Sequence, residues 1–254
     1  MIHLKSAGEI DKMRKAGEVI CLIFEKLEDL VQPGITTAEI DRLVLEWIRK
    51  KQAIPSFLGY EGPAGAGPYP ASICASVNEE VIHGIPGLRR LEDGDILSVD
   101  VGVCLQDYHA DAARTFEIGK TNALAHQLVE TAKQCFFRAL EQAREGNRIS
   151  DLSETIQKHA EEQGFSVVRK YIGHGIGRNL HEPPDVPNYR TRSRGPLLAA
   201  GMTLAMEPMI NEGTEDVYTL ENGWTVVTRD HRLSAHYENT IAITRNEPLV
   251  LTIH

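Results

Sequence analysis

The sequence lacks the features that mark membrane and secreted proteins. No stretch reaches the roughly 18 consecutive apolar residues that a membrane-spanning helix requires. The N-terminal segment MIHLKSAGEI contains no apolar run of signal-peptide length. With 42% hydrophobic and 25% charged residues, the composition is that of a globular protein. We therefore expect a soluble protein located in the cytoplasm.

Cysteine pairs and basic clusters are also missing. The sequence has no CxxC pair, and its cysteines lie singly in apolar surroundings at Cys21, Cys74, Cys104 and Cys135. This spacing predicts buried, reduced thiols rather than a disulfide framework or a zinc knuckle. A net charge of −9 without a basic cluster argues against a nucleic-acid groove. The expected partners are small molecules or peptides.

Two pairs of helices are predicted, one pair in each half of the chain. The motif Ser6–Glu9 is a capping-box pattern ahead of a long helix, and the motif Thr36–Glu39 starts a second helix. Apolar residues at helical spacing predict a third helix over 124–140, which stops at Gly146-Asn147. A fourth helix is predicted over about 150–163.

Three short motifs occur in both halves in the same order. The first is His-Gly-Ile, the second is Gly-x-x-Leu followed by a small residue, an apolar residue and an acid, and the third is His-x-acid. Their defining residues are His83 and His174, Asp100 and Glu207, and Asp111 and Glu238. The repeat predicts a single domain over 1–254 with two halves, about 1–120 and 121–254, related by a pseudo-twofold axis.

The acids of these motifs lie in segments that read as strands. DILSVDVGVCLQ and TLAMEPMIN are apolar segments broken by acids, and TVVTRDHRLSAHYENTIAIT predicts a hairpin followed by a strand. A lone acid is ordinarily a solvated turn residue or half of a surface ion pair. A carboxylate inside a strand must instead be paired, hydrogen-bonded or bound to a cation, because its desolvation is unfavourable.

The four acids can converge if the two halves face each other. Four clustered carboxylates cannot all stay ionised, since like charges raise one another's pKa, and a multivalent cation resolves this conflict. With His174 the set has four oxygen donors and one imidazole, which suits Mn(II), Fe(II), Co(II) and also Zn(II). The carboxylates suffice to bridge two ions.

The stretch YIGHGIGRNLHEPP, residues 171–184, allows more than one interpretation from its residues alone. Its glycines resemble a dinucleotide loop, but the preceding strand and following helix of that motif are missing. His181 is equally a structural histidine of a turn. His109 and His236 each precede an acid by two residues and are interpreted as hydrogen-bonding neighbours rather than ligands.

Five motifs closely resemble the type I methionine aminopeptidases, over essentially the whole chain. They are SVNEEVIHGIP, DILSVDVGVCLQDYHADAARTF, YIGHGIGRNLHEPP, LAMEPM and ENGWTVVTRDHRLSAHYENTIAIT. The resemblance implies an α+β pita-bread fold, in which a curved antiparallel sheet carries helices on its outer face. It also implies a cytoplasmic monomer that removes the initiator methionine from nascent chains, at the ribosome, when the second residue is small.

The resemblance further implies a dinuclear site of Co, Mn, Fe or Zn ions. Asp100 would chelate one ion, Asp111 and Glu238 would bridge both, and His174 and Glu207 would complete the other.

The same resemblance implies the catalytic and substrate-binding residues. Glu207 would pass on a proton, His83 would hydrogen-bond the substrate, and His181 would stabilise the oxyanion or position the scissile amide. The methionine pocket would be lined by Phe57, Tyr60, Tyr69, Cys74, Leu180 and Trp224. A monovalent cation is expected near Asn78, Glu80 and Ser234.

The sequence departs from this family's pattern in two places. Residues 61–68 form a Gly/Pro/Ala insertion at the cleft mouth, which puts the placement of Tyr60 and Tyr69 in doubt. Asn239 stands where histidine is frequent.

Two alternatives to the aminopeptidase interpretation stay open. An X-Pro peptidase would share the fold and ligands, although such relatives usually carry an additional N-terminal domain. A catalytically inactive binding homologue would normally have lost metal ligands, all of which are present here.

Overall fold

Helices form where capping residues precede amphipathic repeats. The structure is a computed structural model that describes residues 1–63 and 65–253. Its helices are α1 (Ala7–Leu30), α2 (Thr37–Lys50), α3 (Ala123–Leu140) and α4 (Ile149–Glu162). Both predicted capping boxes are formed, with Ser6 and Thr36 each bonding reciprocally with a glutamate three residues later.

Helix α3 ends earlier than its sequence predicts. The expected end was Gly146-Asn147, whereas the helix stops at Leu140. The backbone N–H of Ala143 then donates to the carbonyl of Leu140 at 3.0 Å, which is the tighter bonding of a terminal turn. Gly146 lies in the left-handed region with φ of +93°, a conformation that glycine adopts without strain.

The strands form antiparallel sheets. They are β1 (Ile54–Pro55), β2 (Cys74–Val77), β3 (Glu80–Ile82), β4 (Ile96–Leu105), β5 (Tyr108–Glu117), β6 (Ser166–Val167), β7 (Gly173–Gly175), β8 (Glu182–Val186), β9 (Thr203–Met206), β10 (Met209–Asn211), β11 (Val217–Thr219), β12 (Val226–Thr228), β13 (Ser234–His236), β14 (Asn239–Ala242) and β15 (Leu249–Val250). The strand orders are β1-β4-β2 with β5 on β4, β13-β10-β6, β11-β12-β3 and β15-β14-β9-β7-β8.

The first half of the chain is built on the hairpin of β4 and β5. Val99 and Val101 of β4 are buried in one core cluster with α1 and α2. Because side chains alternate across a strand, Asp100 faces the opposite side of the sheet. There it lies beside Cys74 of β2 and Ala113 of β5.

In the second half, α3 and α4 share a core cluster with β9 and β10. Strand β9 pairs with β7 on one side and with β14 on the other, and Met206 lies opposite Asn239. Glu207 follows Met206 and Glu238 precedes Asn239, so the two acids leave paired strands at the same level.

Two strand predictions are wrong. TLAMEPMIN is not one strand, because Pro208 has no N–H to donate and separates β9 from β10, which join different sheets. The predicted hairpin in TVVTRDHRLSAHYENTIAIT does not form, since β12 pairs with β11 and β3 whereas β13 pairs with β10.

The cysteine prediction needs one correction. All four cysteines are free and three are buried, but Cys104 is partly exposed near the end of β4. Within residues 1–63 and 65–253, no helix combines the length and apolarity needed to cross a membrane. The division into two pseudo-symmetric halves stays a prediction.

Candidate active site

The two halves meet where β5 runs beside the start of β14. Ala113 and Glu238 exchange backbone hydrogen bonds of 3.3 and 3.0 Å. The Thr240 hydroxyl accepts from the N–H of Asp111 at 2.8 Å and donates to its carbonyl at 2.9 Å. We call this junction, formed by Asp111, Ala113, Glu238 and Thr240, the seam. It places two acids distant in sequence next to each other.

His174 and Glu207 reach the same place from β7 and the end of β9. His174 lies opposite Ala205 in the strand pairing, and its Nε2 is 3.5 Å from Oε1 of Glu207. The Nδ1–H of His174 donates to the carbonyl of Gly175 at 2.8 Å. Because a carbonyl only accepts, Nδ1 carries the hydrogen and Nε2 presents a lone pair, as in metal-binding histidines.

All thirteen residues predicted for catalysis, metal binding and the methionine pocket line one cavity of about 120 Å³. They are Phe57, Tyr60, Tyr69, Cys74, His83, Asp100, Asp111, His174, Leu180, His181, Glu207, Trp224 and Glu238. A cavity of roughly 150 Å³ accepts one benzene molecule, so this space suits a single side chain. The individual roles of these residues stay predictions.

The acids of the cavity are buried without enough partners. Burial raises the pKa of Asp100 to about 7. Burial and the neighbouring carboxylates raise the pKa values of Asp111, Glu207 and Glu238 well above their usual range. Asp100 Oδ1, Asp111 Oδ1 and Glu238 Oε1 have no hydrogen-bond partner. A divalent cation would satisfy these oxygens and relieve their repulsion, so the donor set fits a metal site.

His83 and His174 are held as neutral imidazoles. Burial lowers the pKa of His83 to about 4 and that of His174 to about 3. His83 also has a φ of +58°, a conformation that non-glycine residues seldom adopt and that concentrates at functional sites. Its ring contacts Tyr171 and Trp224 edge to face, with centroid distances of 5.9 and 6.2 Å.

Aromatic residues form the apolar end of the cavity. The Tyr69 and Trp224 rings meet edge to face at 5.0 Å, and the Tyr69 hydroxyl donates to the carbonyl of Gly84 at 2.9 Å. Tyr60 lies at the mouth, 39% exposed, with its hydroxyl 2.6 Å from Nδ1 of His181.

The insertion does not displace these tyrosines. The N–H of Tyr69 donates to the carbonyl of Tyr60, and that of Gly59 donates to the carbonyl of Tyr69, both at 2.9 Å. These bonds close the base of the loop, so both tyrosines stay in the cavity. Ala64 of the insertion lies outside the described residues.

The residues expected at a monovalent cation lie elsewhere. The N–H of Ser234 donates to the carbonyl of Asn78 at 2.9 Å, and Glu80 accepts from the N–H of Val77 at 2.8 Å. The group does not line the cavity.

Two further features lie next to the site and were not among its predicted residues. A buried ion pair joins Lys5 Nζ to Glu182 Oε2 at 2.6 Å and ties the N-terminal segment to the turn that carries His181. His236, interpreted as a hydrogen-bonding neighbour, has an unpartnered Nε2 beside Glu238. His109 instead lies 2.8 Å through Nδ1 from the hydroxyl of Ser56.

Comparisons with known proteins agree with this geometry. The sequence profile of metallopeptidase family M24 matches residues 11–245. The chain is 52% identical over 253 residues to the methionine aminopeptidase of Clostridium perfringens, covering 100% of this chain and 99% of that protein. It is 46% identical to methionine aminopeptidase 1 of Bacillus subtilis, covering 99% of each. The crystal structure of methionine aminopeptidase from Thermotoga maritima superposes with a TM-score of 0.95 at 42% identity, over 100% of both chains.

The chain therefore belongs to metallopeptidase family M24. Within that family, the relatives it resembles over its full length are methionine aminopeptidases. Both the resemblance expected from the motifs and the α+β pita-bread fold are confirmed.

Proposed function

We propose that the chain is a metalloaminopeptidase that removes N-terminal methionine from peptides and nascent proteins when the second residue is small. The cavity carries this proposal, because its cluster of acids and histidines adjoins an apolar end and the cavity has room for a single side chain. Full-length similarity to methionine aminopeptidases supports the same substrate.

The donor set supports two divalent ions. Asp100 would hold one ion, His174 and Glu207 the other, and Asp111 and Glu238 both. Oxygen and imidazole donors suit Co(II), Mn(II), Fe(II) and Zn(II) alike. Such ions, when bound, polarise the scissile carbonyl and activate a water molecule for attack.

The chain's own residues would transfer protons and orient the bound peptide. The raised pKa of Glu207 suits a group that accepts a proton and passes it on. The neutral His83 would hydrogen-bond the bound peptide, and His181 would donate from Nε2 to the reacting amide. Loss of one hydrogen-bond donor to the reacting amide, the role proposed for His181, reduces the rate by about 10²–10³-fold.

The proposal also covers location, oligomeric state and a further ion. The enzyme would act in the cytoplasm as a monomer, on nascent chains at the ribosome, with two pseudo-symmetric halves enclosing one site. A monovalent cation would bind near Asn78, Glu80 and Ser234.

The test is a hydrolysis series with the metal-free protein. Met-Ala, Met-Gly and Met-Leu peptides are each supplied with Co(II), Mn(II), Fe(II) or Zn(II), and released methionine is measured. Release from Met-Ala and Met-Gly, with little from Met-Leu, is expected.

Three other outcomes would contradict the proposal. No release from Met-Ala with any ion would refute it outright. Faster cleavage of X-Pro peptides than of Met-Ala would identify an X-Pro peptidase. Peptide binding that persists in chelator, without hydrolysis, would identify a catalytically inactive binding protein.

A further inference from the structure

His236 is a buried histidine beside Glu238 of the site, and no role yet explains it. Its side chain is 2% exposed and its Nε2 has no hydrogen-bond partner. A buried polar atom left unpaired is unfavourable by about 1–3 kcal/mol, so a native structure that keeps one needs a reason.

The distance from His236 to Glu238 indicates that reason. Nε2 of His236 lies 3.6 Å from Oε2 of Glu238, beyond hydrogen-bonding distance. Two donors bound about 2.1 Å from one tetrahedral ion are separated by about 3.4 Å, so the observed spacing fits two ligands of a shared ion. Nε2 of His174 and Oε1 of Glu207 are separated by nearly the same distance, 3.5 Å.

Two candidate metal groups arise from the described residues, and they share one acid. The first is Asp111, His174 and Glu238, and the second is Asp100, His236 and Glu238. Within each group, one ligand atom from every residue lies within 4.8 Å of the others. Each candidate group thus contains one imidazole.

The backbone of His236 is fixed where this role requires it. The Thr115 hydroxyl accepts from the N–H of His236 at 3.0 Å and donates to its carbonyl at 2.9 Å. Strand β13 is therefore tied to β5, which also carries Asp111.

We propose that His236 is a metal ligand, supplying Nε2 to an ion held by Asp100 and Glu238. The proposal rests on the proposed metal-dependent function and adds a nitrogen to the ion that the acids alone would otherwise hold. With one imidazole on each side, the two positions become similar in donor type, and both suit the same borderline divalent ions.

The direct test is a crystal structure of the wild-type protein soaked with Co(II), with anomalous data collected at the cobalt edge. An ion within about 2.3 Å of His236 Nε2 supports the proposal, since metal–imidazole bonds are about 2.0–2.1 Å long. An ion on Asp100 that leaves Nε2 more than about 3 Å away overturns it, as does the absence of any ion on Asp100 at saturating cobalt.

Calorimetric titration of the metal-free protein with Co(II) provides a second readout. Loss of even an outer-shell partner weakens metal binding 10–100-fold, so His236→Gln should weaken one site by at least tenfold. The matched control is His159→Gln, a buried histidine of α4 whose Nε2 pairs with Gln134 at 3.0 Å. Equal affinities in wild type and His236→Gln overturn the proposal.

The two proposals fail in different ways. A cobalt ion bonded to His236 without hydrolysis of Met-Ala would refute the aminopeptidase function and leave the ligand in place. Active enzyme with His236 unbonded would refute the ligand alone.

Discussion

Two neighbouring imidazoles of the site each make one hydrogen bond through Nδ1. The rings of His174 and His181 are 4.2 Å apart. The carbonyl of Gly175 accepts a hydrogen bond from Nδ1–H of His174, so Nε2 carries a free lone pair. Burial raises the pKa of Tyr60, so its hydroxyl stays protonated and can donate to Nδ1 of His181. When the hydroxyl donates in this bond, the hydrogen of His181 lies on Nε2.

We expect Tyr60→Phe to impair catalysis without unfolding the protein. A neutral hydrogen bond contributes about 0.5–1.5 kcal/mol, and 1.36 kcal/mol corresponds to tenfold in rate, so kcat/KM should fall about two- to thirteenfold. The melting temperature should stay within about 2 °C of wild type, and Tyr218→Phe on β11 is the control. Unchanged kcat/KM would remove Tyr60 from any positioning role.

The raised pKa of Asp100 predicts how the stability of the metal-free protein depends on pH. Its folded pKa of about 7 exceeds its ordinary 3.8, so the metal-free folded state holds a proton that the unfolded state releases. The metal-free protein therefore loses stability as the pH rises through this window. Asp100→Asn should be more stable than wild type at pH 7 by more than about 1 kcal/mol, in chelator, and closer to it at pH 4. Denaturant titrations at both pH values measure this, and an equal difference at both would contradict it.

At the scale of elements, caps and prolines decide where segments begin and end. The boxes at Ser6 and Thr36 were visible in the sequence because capping depends on residues three positions apart. Pro208 is apparent in the sequence, but the strand break that it causes was not predicted, because TLAMEPMIN reads as one apolar run. Local patterns also could not show that β12 and β13 pair with different strands, since both partners lie far along the chain.

Ser6→Ala should destabilise the protein by about 1 kcal/mol, the usual effect of losing an N-cap hydroxyl. The Glu9 carboxylate that completes this box also accepts from the Tyr108 hydroxyl at 2.6 Å, which ties α1 to β5. Urea unfolding monitored by circular dichroism gives the difference. Ser150→Ala, also at a helix N-terminus but not a cap, should change stability by less than about 0.5 kcal/mol.

At the scale of the whole molecule, the proposed metal site would hold the two halves together. The proposed ligands come from β4, β5, β7 and the loops beside β9 and β14, so an ion would connect both halves across the seam. The sequence could suggest this convergence because the acids recur in order in the two halves. It could not assign His236, whose significance depends on a 3.6 Å distance between side chains.

Removal of metal should therefore lower the melting temperature. A ligand at 100 times its Kd stabilises the folded state by about 2.7 kcal/mol, which is about 5–10 °C for a chain of this size. Differential scanning fluorimetry with Co(II) and with chelator measures the shift. Ca(II), which prefers more oxygen ligands, serves as the comparison ion and should stabilise less.

The seam makes the enzyme its own indicator of metal occupancy. The amides of Asp111, Ala113 and Glu238 are bonded across the junction, so they exchange with solvent only when the halves separate. An ion shared by Asp111 and Glu238, as proposed above, would resist that separation. Deuterium uptake at these three amides would then report, in a crude mixture and without any substrate, what fraction of molecules carries metal.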